Sequence, residues 1–385
     1  MMQIRVHIYI ISLLILSSCI KPFDPGLDQN STNKYVVQGM VSSIEGWQYV
    51  YVSKSSSVAL AEFIPVIGCQ IVISDDQGNT FNLNESDAGT YLVWMNSIDL
   101  VPGRSYMIRV QTPDGQILES AYDKMPNGPD DIGEIYTEVE NTPTNDPDYN
   151  IYGAQFYLNF SAAEEDSRYY RWKLTETWEY YTEYPIEFYY DGAVHQVSPP
   201  DTSQKYCWKT QLVQDVFTLS TVHLTENALN GVPLNFIYSS SNRLEVLYSL
   251  LIEQSALSED AFNYWDKLRV NSLQDGGLYT TQPLAIKGNI KNISNPDNEV
   301  LGFFQASSVS TKRIFVEPLP DLVLNIPSLC QINLLEHGGF LEISPLDYPA
   351  YLFSSNGQWS MATLTKECVL CSAQGGSNVK PDFWP

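Results

Sequence analysis

The stretch Arg168–Glu183, RYYRWKLTETWEYYTE, decides which kind of fold the chain supports. Large apolar residues alternate along it with charged or hydroxylated ones, and a period of two is typical of a β-strand with one buried face. We expect a long strand that buries one set of side chains, Tyr170, Trp172, Leu174, Trp178 and Tyr180, and exposes the other, Arg171, Lys173, Thr175, Thr177 and Glu179.

The composition of the whole chain also favours strands joined by tight turns. Its 385 residues include 25 Tyr, 15 Phe, 8 Trp, 22 Gly and 22 Pro. The length exceeds the size at which a single core stops growing, so two domains are expected. The net charge of −24 repels phosphate backbones, which argues against a nucleic-acid partner.

Short strands separated by turns recur between Tyr35 and Tyr122, without a helical period. The predicted strands are Val36–Val41, Tyr49–Val52, Cys69–Ser74, Tyr91–Trp94 and Tyr106–Val110. This spacing predicts an antiparallel sandwich over residues 34–125. The turns before Tyr91 and Tyr106 resemble those of prealbumin-like sandwiches, which usually hold or present other domains.

Residues 126–385 form the second, larger domain of this interpretation, because prolines and turn formers mark a boundary over residues 123–150. A single helix is expected near residues 258–275, capped by Ser258 and ended by Gly276-Gly277. Its buried stripe would be Ala261, Phe262, Trp265 and Leu268. The fold class is therefore mainly β: a prealbumin/Ig-like β-sandwich plus a larger β-rich domain with one packed α-helix.

The N-terminus has the form of a lipoprotein signal peptide over residues 1–18. Arg5 precedes an apolar run that is too short to span a bilayer. Leu16-Ser17-Ser18-Cys19 resembles the lipobox of bacterial lipoproteins, in which the cysteine is acylated and becomes the first residue; the alternative is an ordinary signal peptide with an incidental cysteine. Residues 19–33 would form a lipidated stalk.

Five cysteines remain once Cys19 carries the lipid, and an odd number leaves one unpaired in an oxidising compartment. The motif Cys368-Val369-Leu370-Cys371 fits a redox dithiol, half of a zinc site or two disulfide halves. We favour disulfides among Cys207, Cys330, Cys368 and Cys371, with the pairing open. Cys69 would be a buried free thiol.

Catalytic patterns are scarce. The three histidines after residue 18 lie far apart, and no nucleophile elbow, phosphate loop or metal-ligand spacing is present. We expect no enzyme activity, no metal and no cofactor, although 45 acidic residues leave a carboxylate pair open. Aromatic residues crowd the stretch 178–190, where Pro185 would interrupt a core strand. Packing of a long hairpin is one interpretation, and a partner-binding surface at Trp178, Tyr181, Tyr184 and Tyr189 is the other.

Five stretches together resemble a lipoprotein family of Bacteroidota known as domain of unknown function four-two-four-nine. They are Cys207–Thr210, Ala256–Trp265, Gly288–Ile290, Gly302–Ser310 and the tail Cys368–Trp384. Asn292 departs from the pattern, because many relatives carry a further cysteine near it. Such lipoproteins are often encoded beside TonB-dependent outer-membrane receptors, so the resemblance implies a role beside a transporter. It brings no catalytic residues.

The expected function is that of a non-catalytic lipoprotein of the outer membrane, at the cell surface or on the periplasmic face. Its partners would be the lipid bilayer, through acylated Cys19, and a TonB-dependent receptor. The alternative is a surface glycan or peptide hydrolase that uses carboxylates of the second domain. A mostly helical transporter lid does not fit a chain with one predicted helix.

The lipobox predicts that Cys19→Ala abolishes membrane anchoring, because the acylated thiol is the proposed attachment. The variant is expected in the soluble fraction or as unprocessed precursor, as measured by fractionation and by the mass of the N-terminal peptide. Normal processing with unchanged membrane retention would contradict the anchor.

Overall fold

The computed structural model describes residues 33–56, 62–144, 150–274, 286–335, 339–354 and 361–385. The signal peptide, Cys19, the stalk up to residue 32 and the predicted helix end at Gly276-Gly277 lie outside the described residues. The described part is mainly β with one α-helix, so the predicted fold class is confirmed. Within these ranges no helix is long and apolar enough to cross a bilayer.

The first nine strands enclose a core that includes Val37, Val50, Ile73, Tyr91 and Tyr106. They are β1 (Tyr35–Ser42), β2 (Gly46–Lys54), β3 (Ile64–Pro65), β4 (Gln70–Asp75), β5 (Thr80–Asp87), β6 (Thr90–Met95), β7 (Ser105–Gln111), β8 (Ile117–Ser120) and β9 (Asp123–Lys124). All five strands predicted between Tyr35 and Tyr122 are present among them, with boundaries shifted by one to three residues.

The remaining elements build three further hydrophobic clusters. The strands are β10 (Glu134–Pro143), β11 (Asn150–Ser161), β12 (Tyr169–Tyr181), β13 (Ile186–Tyr190), β14 (Val194–Asp201), β15 (Tyr206–Leu212), β16 (Phe217–Ser220), β17 (Ala228–Tyr238), β18 (Tyr248–Ala256), β19 (Ile290–Asn292), β20 (Phe304–Val316), β21 (Ile332–Leu334), β22 (Ala350–Ser354) and β23 (Met361–Leu364). The helix α1 spans Glu259–Gln274.

The strands form three sheets. In the largest, the hydrogen-bonded order is β15-β12-β18-β20-β1-β2-β6-β5-β4-β7-β8-β19, with β16 on β12, β3 on β2 and β9 on β7. A second sheet has the order β10-β11-β17, and a third has the order β14-β13-β22-β23-β21. The large sheet therefore runs through both sequence regions without a break.

Strand β12 buries the face that its sequence predicts, but its other face is not exposed as predicted: Thr177 is buried, and Arg171, Thr175 and Glu179 are half-buried, which leaves Lys173 exposed. Tyr170, Trp172, Leu174, Trp178 and Tyr180 are all buried in the core of the larger region. One member of the same face was not singled out from the sequence: Glu176 lies between Leu174 and Trp178 and is also buried. Its partners are described with the site below.

The two sequence regions are joined by a parallel pairing of β1 with β20, in which Gly39 lies opposite Phe304. A Cβ on Gly39 would approach Val50 Cγ2 to 2.8 Å and Phe304 Cδ2 to 3.1 Å, so the close approach of these strands requires glycine. Phe304 and Ala306 belong to the first core, together with Ile290 and Val300. The first core thus needs residues from both sides of the boundary at residue 125.

Helix α1 packs as its sequence predicts. The Ser258 hydroxyl accepts a hydrogen bond from the Ala261 N–H at 3.2 Å, as an N-cap residue does. Ala261 and Trp265 are buried, and Phe262 and Leu268 pack partly buried beside them. The Trp265 indole donates to Gln305 Oε1 at 2.6 Å, which fixes the helix on one face of the large sheet.

Two segments differ from their sequence interpretation. Residues 134–143, read as part of the boundary, form β10 and pair along their whole length with β11. The apolar stretches Leu301–Ser307 and Lys312–Glu317 would each predict a separate strand, but the structure has one strand, β20, because its polar middle pairs with β18. In both segments, hydrogen bonding to a neighbouring strand decides the backbone conformation, although the local pattern of side chains indicates otherwise.

Asp123 lies at the junction of β9 with β20, and its Oδ2 accepts the Ala306 N–H at 2.8 Å. Burial raises the pKa of this carboxyl to about 6, although Ser258 and Ala306 hydrogen bonds oppose the shift. The folded state favours the protonated form of Asp123. Asp123 therefore stabilises the fold fully at pH values below the pKa that it has in the unfolded chain. This stabilisation is lost as the pH rises through about 6.

We therefore predict that Asp123→Asn gains stability relative to wild type between pH 5 and pH 8, by on the order of 2 kcal/mol, since the amide oxygen can still accept the Ala306 N–H. Urea denaturation at both pH values measures the difference. Asp87→Asn, at an exposed position, is the control. Parallel pH profiles for wild type and Asp123→Asn would contradict the prediction.

Candidate binding cleft

A cleft of about 440 Å³ lies where the end of β12 meets β15, the loop after β17 and the C-terminal tail. Trp178, Tyr180 and Tyr181 supply its aromatic lining. Alternation along β12 directs Trp178 and Tyr180 inwards and leaves Tyr181 with 41% of its surface exposed. The cleft therefore combines buried rings with one accessible tyrosine.

Polar groups of several kinds line the rest of the cleft. They include the carboxylates Glu183, Glu245 and Glu367, the Lys209 ammonium, the Ser328 hydroxyl and the Gln374 amide. Lys209 Nζ lies 5.8 Å and Arg243 Cζ 5.3 Å from the Trp178 ring centroid, within the range of cation–π attraction. Rings beside hydrogen-bonding groups suit a ligand with both apolar and polar surfaces.

One of the two disulfides contributes Cys330 to the lining of this cleft. Cys330 pairs with Cys368 and Cys207 pairs with Cys371, with Cα–Cα distances of 4.5 and 5.5 Å. The expectation of two disulfides among these four cysteines is confirmed, and CxxC supplies one half of each bridge. Cys69 is the free, buried thiol expected from the sequence, and burial raises its pKa.

The C-terminal tail is fastened to β15 by hydrogen bonds as well. The Tyr180 hydroxyl donates to the Cys371 carbonyl at 2.8 Å, and Trp208 and Ser377 exchange two backbone hydrogen bonds of 2.8 and 2.9 Å. A Cβ on Gly376 would lie 2.3 Å from the Tyr180 hydroxyl, so glycine is required at that position. The tail therefore forms a permanent wall of the cleft.

Glu245 and Tyr181 interact at the cleft, and each changes the pKa of the other. Burial raises the pKa of the Glu245 carboxyl, and a hydrogen bond from Tyr181 partly offsets this. The negative charge of Glu245 is in turn the main reason that the pKa of Tyr181 is raised. Tyr181 is thus held as a neutral hydrogen-bond donor.

Buried polar groups lie behind the aromatic wall. Glu176 accepts hydrogen bonds from Gln211 Nε2 at 2.6 Å, Tyr248 Oη at 3.0 Å and Asn235 Nδ2 at 3.3 Å, and it lies 3.3 Å from Arg243 Nη1. Burial is the main cause that raises the pKa of Tyr248 well above its ordinary value. The sequence signal for this network is Glu176 itself, an acidic residue on the face of β12 whose other members are large and apolar.

The four predicted partner-binding residues do not share one surface. Trp178 is 4% exposed and belongs to the core, which corrects the expectation of an exposed ring. Tyr184 packs on Phe353 with ring centroids 5.1 Å apart, and Tyr189 stacks on His195 at 4.7 Å. Both are half-buried on or beside β13, where the hairpin-packing interpretation holds. Tyr181 alone is an exposed ring.

In the described part of the chain, no group of three or more His, Cys, Asp or Glu side chains is arranged to hold a metal ion. Neither His195 nor His223 lines the cleft, and His337 lies outside the described residues. Among the described lining residues, no nucleophile is therefore paired with a histidine base.

The chain belongs to the family described as Domain of unknown function (DUF4249), whose model matches residues 20–313. The match covers β1 to β19 and most of β20, and it stops before the tail that forms one wall of the cleft. No curated protein matches the chain.

Two solved structures show distant similarity. Trypsin-activated alpha-2-macroglobulin from Escherichia coli is 11% identical, with a TM-score of 0.18, over 60% of this chain and 15% of that one. A DUF4785 family protein from Legionella pneumophila is 10% identical, with a TM-score of 0.16, over 57% of this chain and 52% of that one. Similarity at this level carries no functional argument.

The disulfides are expected to stabilise the tail in its position. Removing the Cys330–Cys368 bridge by paired serine substitutions should cost about 2 to 5 kcal/mol of unfolding free energy. Peptide mapping without reductant should recover the links Cys207–Cys371 and Cys330–Cys368, with Cys69 alkylated only after unfolding. Four free thiols, or zinc held by them, would contradict this arrangement.

Proposed function

We propose that this protein is an outer-membrane lipoprotein, anchored through Cys19, that acts by binding as an accessory to a TonB-dependent receptor. The lipobox and the family resemblance support the location and the partner. The cleft supports binding, because its groups resemble a recognition surface more than a catalytic one. An anchored protein also meets a partner in the same membrane at high effective concentration, so a modest interface suffices.

One observation carries this proposal: the exposed Tyr181 ring lies at a cleft that is also lined by Cys330, which a disulfide links to Cys368 of the tail. Tyr206 lies 6.2 Å from the Tyr181 ring and Lys205 Nζ lies 5.7 Å from it, so the ring is supported from one side. A tyrosine held in place loses little conformational entropy on binding, and such residues are enriched at the energetic centres of interfaces.

A surface glycan or peptide hydrolase is the second candidate, because one observation favours it. Glu245 is a cleft carboxyl whose pKa is raised by burial, and Glu183 and Glu367 line the same cleft. A carboxylic acid with a raised pKa near a second carboxyl group is the arrangement that general acid–base hydrolysis uses. In this reading Glu245→Gln abolishes turnover.

We predict that Tyr181→Ala weakens the complex with the receptor about tenfold, or by about 1.4 kcal/mol, because it removes the exposed ring and its hydroxyl. The measurement is affinity purification of the acylated chain from native membranes in mild detergent, followed by titration of the recovered receptor. Tyr122→Ala is the matched control, since Tyr122 is 53% exposed and does not line the cleft.

Equal recovery with Tyr181→Ala and Tyr122→Ala would contradict the role of Tyr181. Alanines at Tyr184 and Tyr189, which the sequence also suggested, are expected to act through loss of packing and to lower thermal stability. Recovery of the chain alone, with hydrolysis of glycans or peptides that Glu245→Gln abolishes, would replace the proposal with the enzymatic alternative.

A further inference from the structure

The outer face of strands β1, β2 and β6 carries a row of exposed aromatic side chains. Trp47, Tyr49 and Tyr51 alternate along β2 with the buried residues Gln48, Val50 and Val52, and all three rings are 41–50% exposed. Trp94 on β6 lies directly opposite Trp47, with ring centroids 5.4 Å apart, and is 48% exposed. We call the outward residues of these three strands the aromatic face.

The central row of the aromatic face has no charged residue. Met40 and Leu92 flank Tyr49, and the neighbouring strands continue this row with Gln305 on β20 and Asn84 on β5. Gln38 and Thr90 flank Tyr51, and the charged residue Asp87 on β5 pairs with Thr90 at the end of that row. On β1, β2 and β6 themselves, both rows are therefore uncharged, in a chain whose net charge is −24.

At β20, helix α1 covers the same face of the sheet. Trp265 of the helix donates a hydrogen bond to Gln305, and Tyr264 stacks on Phe303 with ring centroids 4.9 Å apart. Over β2 and β6, the four rings remain 41–50% exposed among the described residues. A large apolar surface that stays open beside a covered one marks a contact with another body.

The open face extends into the turns at one end of the sandwich. Ile44, before β2, is 44% exposed, and Ile98, after β6, is 77% exposed. Glu45 Oε2 accepts the Ser97 N–H at 3.1 Å, which ties the two turns together beside Trp47 and Trp94. Two isoleucines and two tryptophans therefore share the edge of the aromatic face.

We propose that the aromatic face rests on the surface of the bilayer to which the chain is anchored. This inference rests on the proposed acylation of Cys19. Fifteen residues lie between Cys19 and Tyr35, where β1 begins, and a chain of that length reaches at most about 55 Å. An eight-residue strand is only about 26 Å long. The anchor and the whole aromatic face can thus lie on one membrane surface.

The tryptophan and tyrosine side chains of the aromatic face favour lipid over a protein or a polysaccharide as its contact. Tryptophan and tyrosine are the side chains enriched at membrane–water interfaces, because each has an apolar ring and a polar tip. The rest of this acidic protein is repelled by anionic headgroups, so the uncharged side is the one that can approach them.

The test uses the acylated full-length product in vesicles of phosphatidylethanolamine and phosphatidylcholine with brominated acyl chains. Bromine quenches tryptophans that reach the interface. Wild-type fluorescence is expected to fall at least twice as much as that of Trp47→Phe/Trp94→Phe. Tyr49→Glu/Tyr51→Glu should also abolish the quenching, because it places two carboxylates on the face, whereas Tyr122→Glu should leave it unchanged.

The outcomes separate the two proposals. Flotation of the wild type with the vesicles, but equal quenching in wild type and Trp47→Phe/Trp94→Phe, would overturn the lipid contact alone. Absence of flotation would overturn the anchor and this contact together. Protection of Trp47 and Trp94 from soluble acrylamide by purified receptor or by a neutral polysaccharide, with no quenching by the brominated lipid, would assign the face to that partner and overturn the proposal.

Discussion

The parallel pairing of β1 with β20 is the contact on which the rest of the structure depends. It joins residues 39–42 to residues 304–307, so the first strand of the fold is completed by one of the last. The Asn289 side chain donates to the Phe304 carbonyl at 2.7 Å and accepts the Phe304 N–H at 3.0 Å, which holds the start of β20 in register. Through this pairing one sheet extends from the first core to β12 and the cleft.

Local patterns predicted the elements whose side chains have a strong period. Strand β12 alternates over thirteen residues, and α1 has a capping serine and a buried stripe, so both could be read from the sequence. Strand β10 could not, because only one of its two faces meets a core and most of its side chains are polar. The β1–β20 pairing could not be predicted either, since local sequence patterns do not indicate which distant strand lies beside a given strand.

The candidate site was predictable in part for similar reasons. The number of disulfides followed from counting cysteines in an oxidising compartment, but the pairing depends on how β15 and the tail meet in space. Aromatic density pointed to residues 178–190 without separating core rings from surface rings. Tyr181 is exposed because it follows the inward Tyr180 at the end of β12, whereas Tyr184 and Tyr189 pack on Phe353 and His195.

The position of charge in the fold links the two surfaces that remain open. Three glutamates, Glu183, Glu245 and Glu367, line the cleft, whereas the central row of the aromatic face has no charged residue across five strands. The two open surfaces therefore differ in charge. In the proposed anchored state this difference has a physical role, because one side approaches a surface that excludes charge while the other side remains in water, free to bind a polar partner.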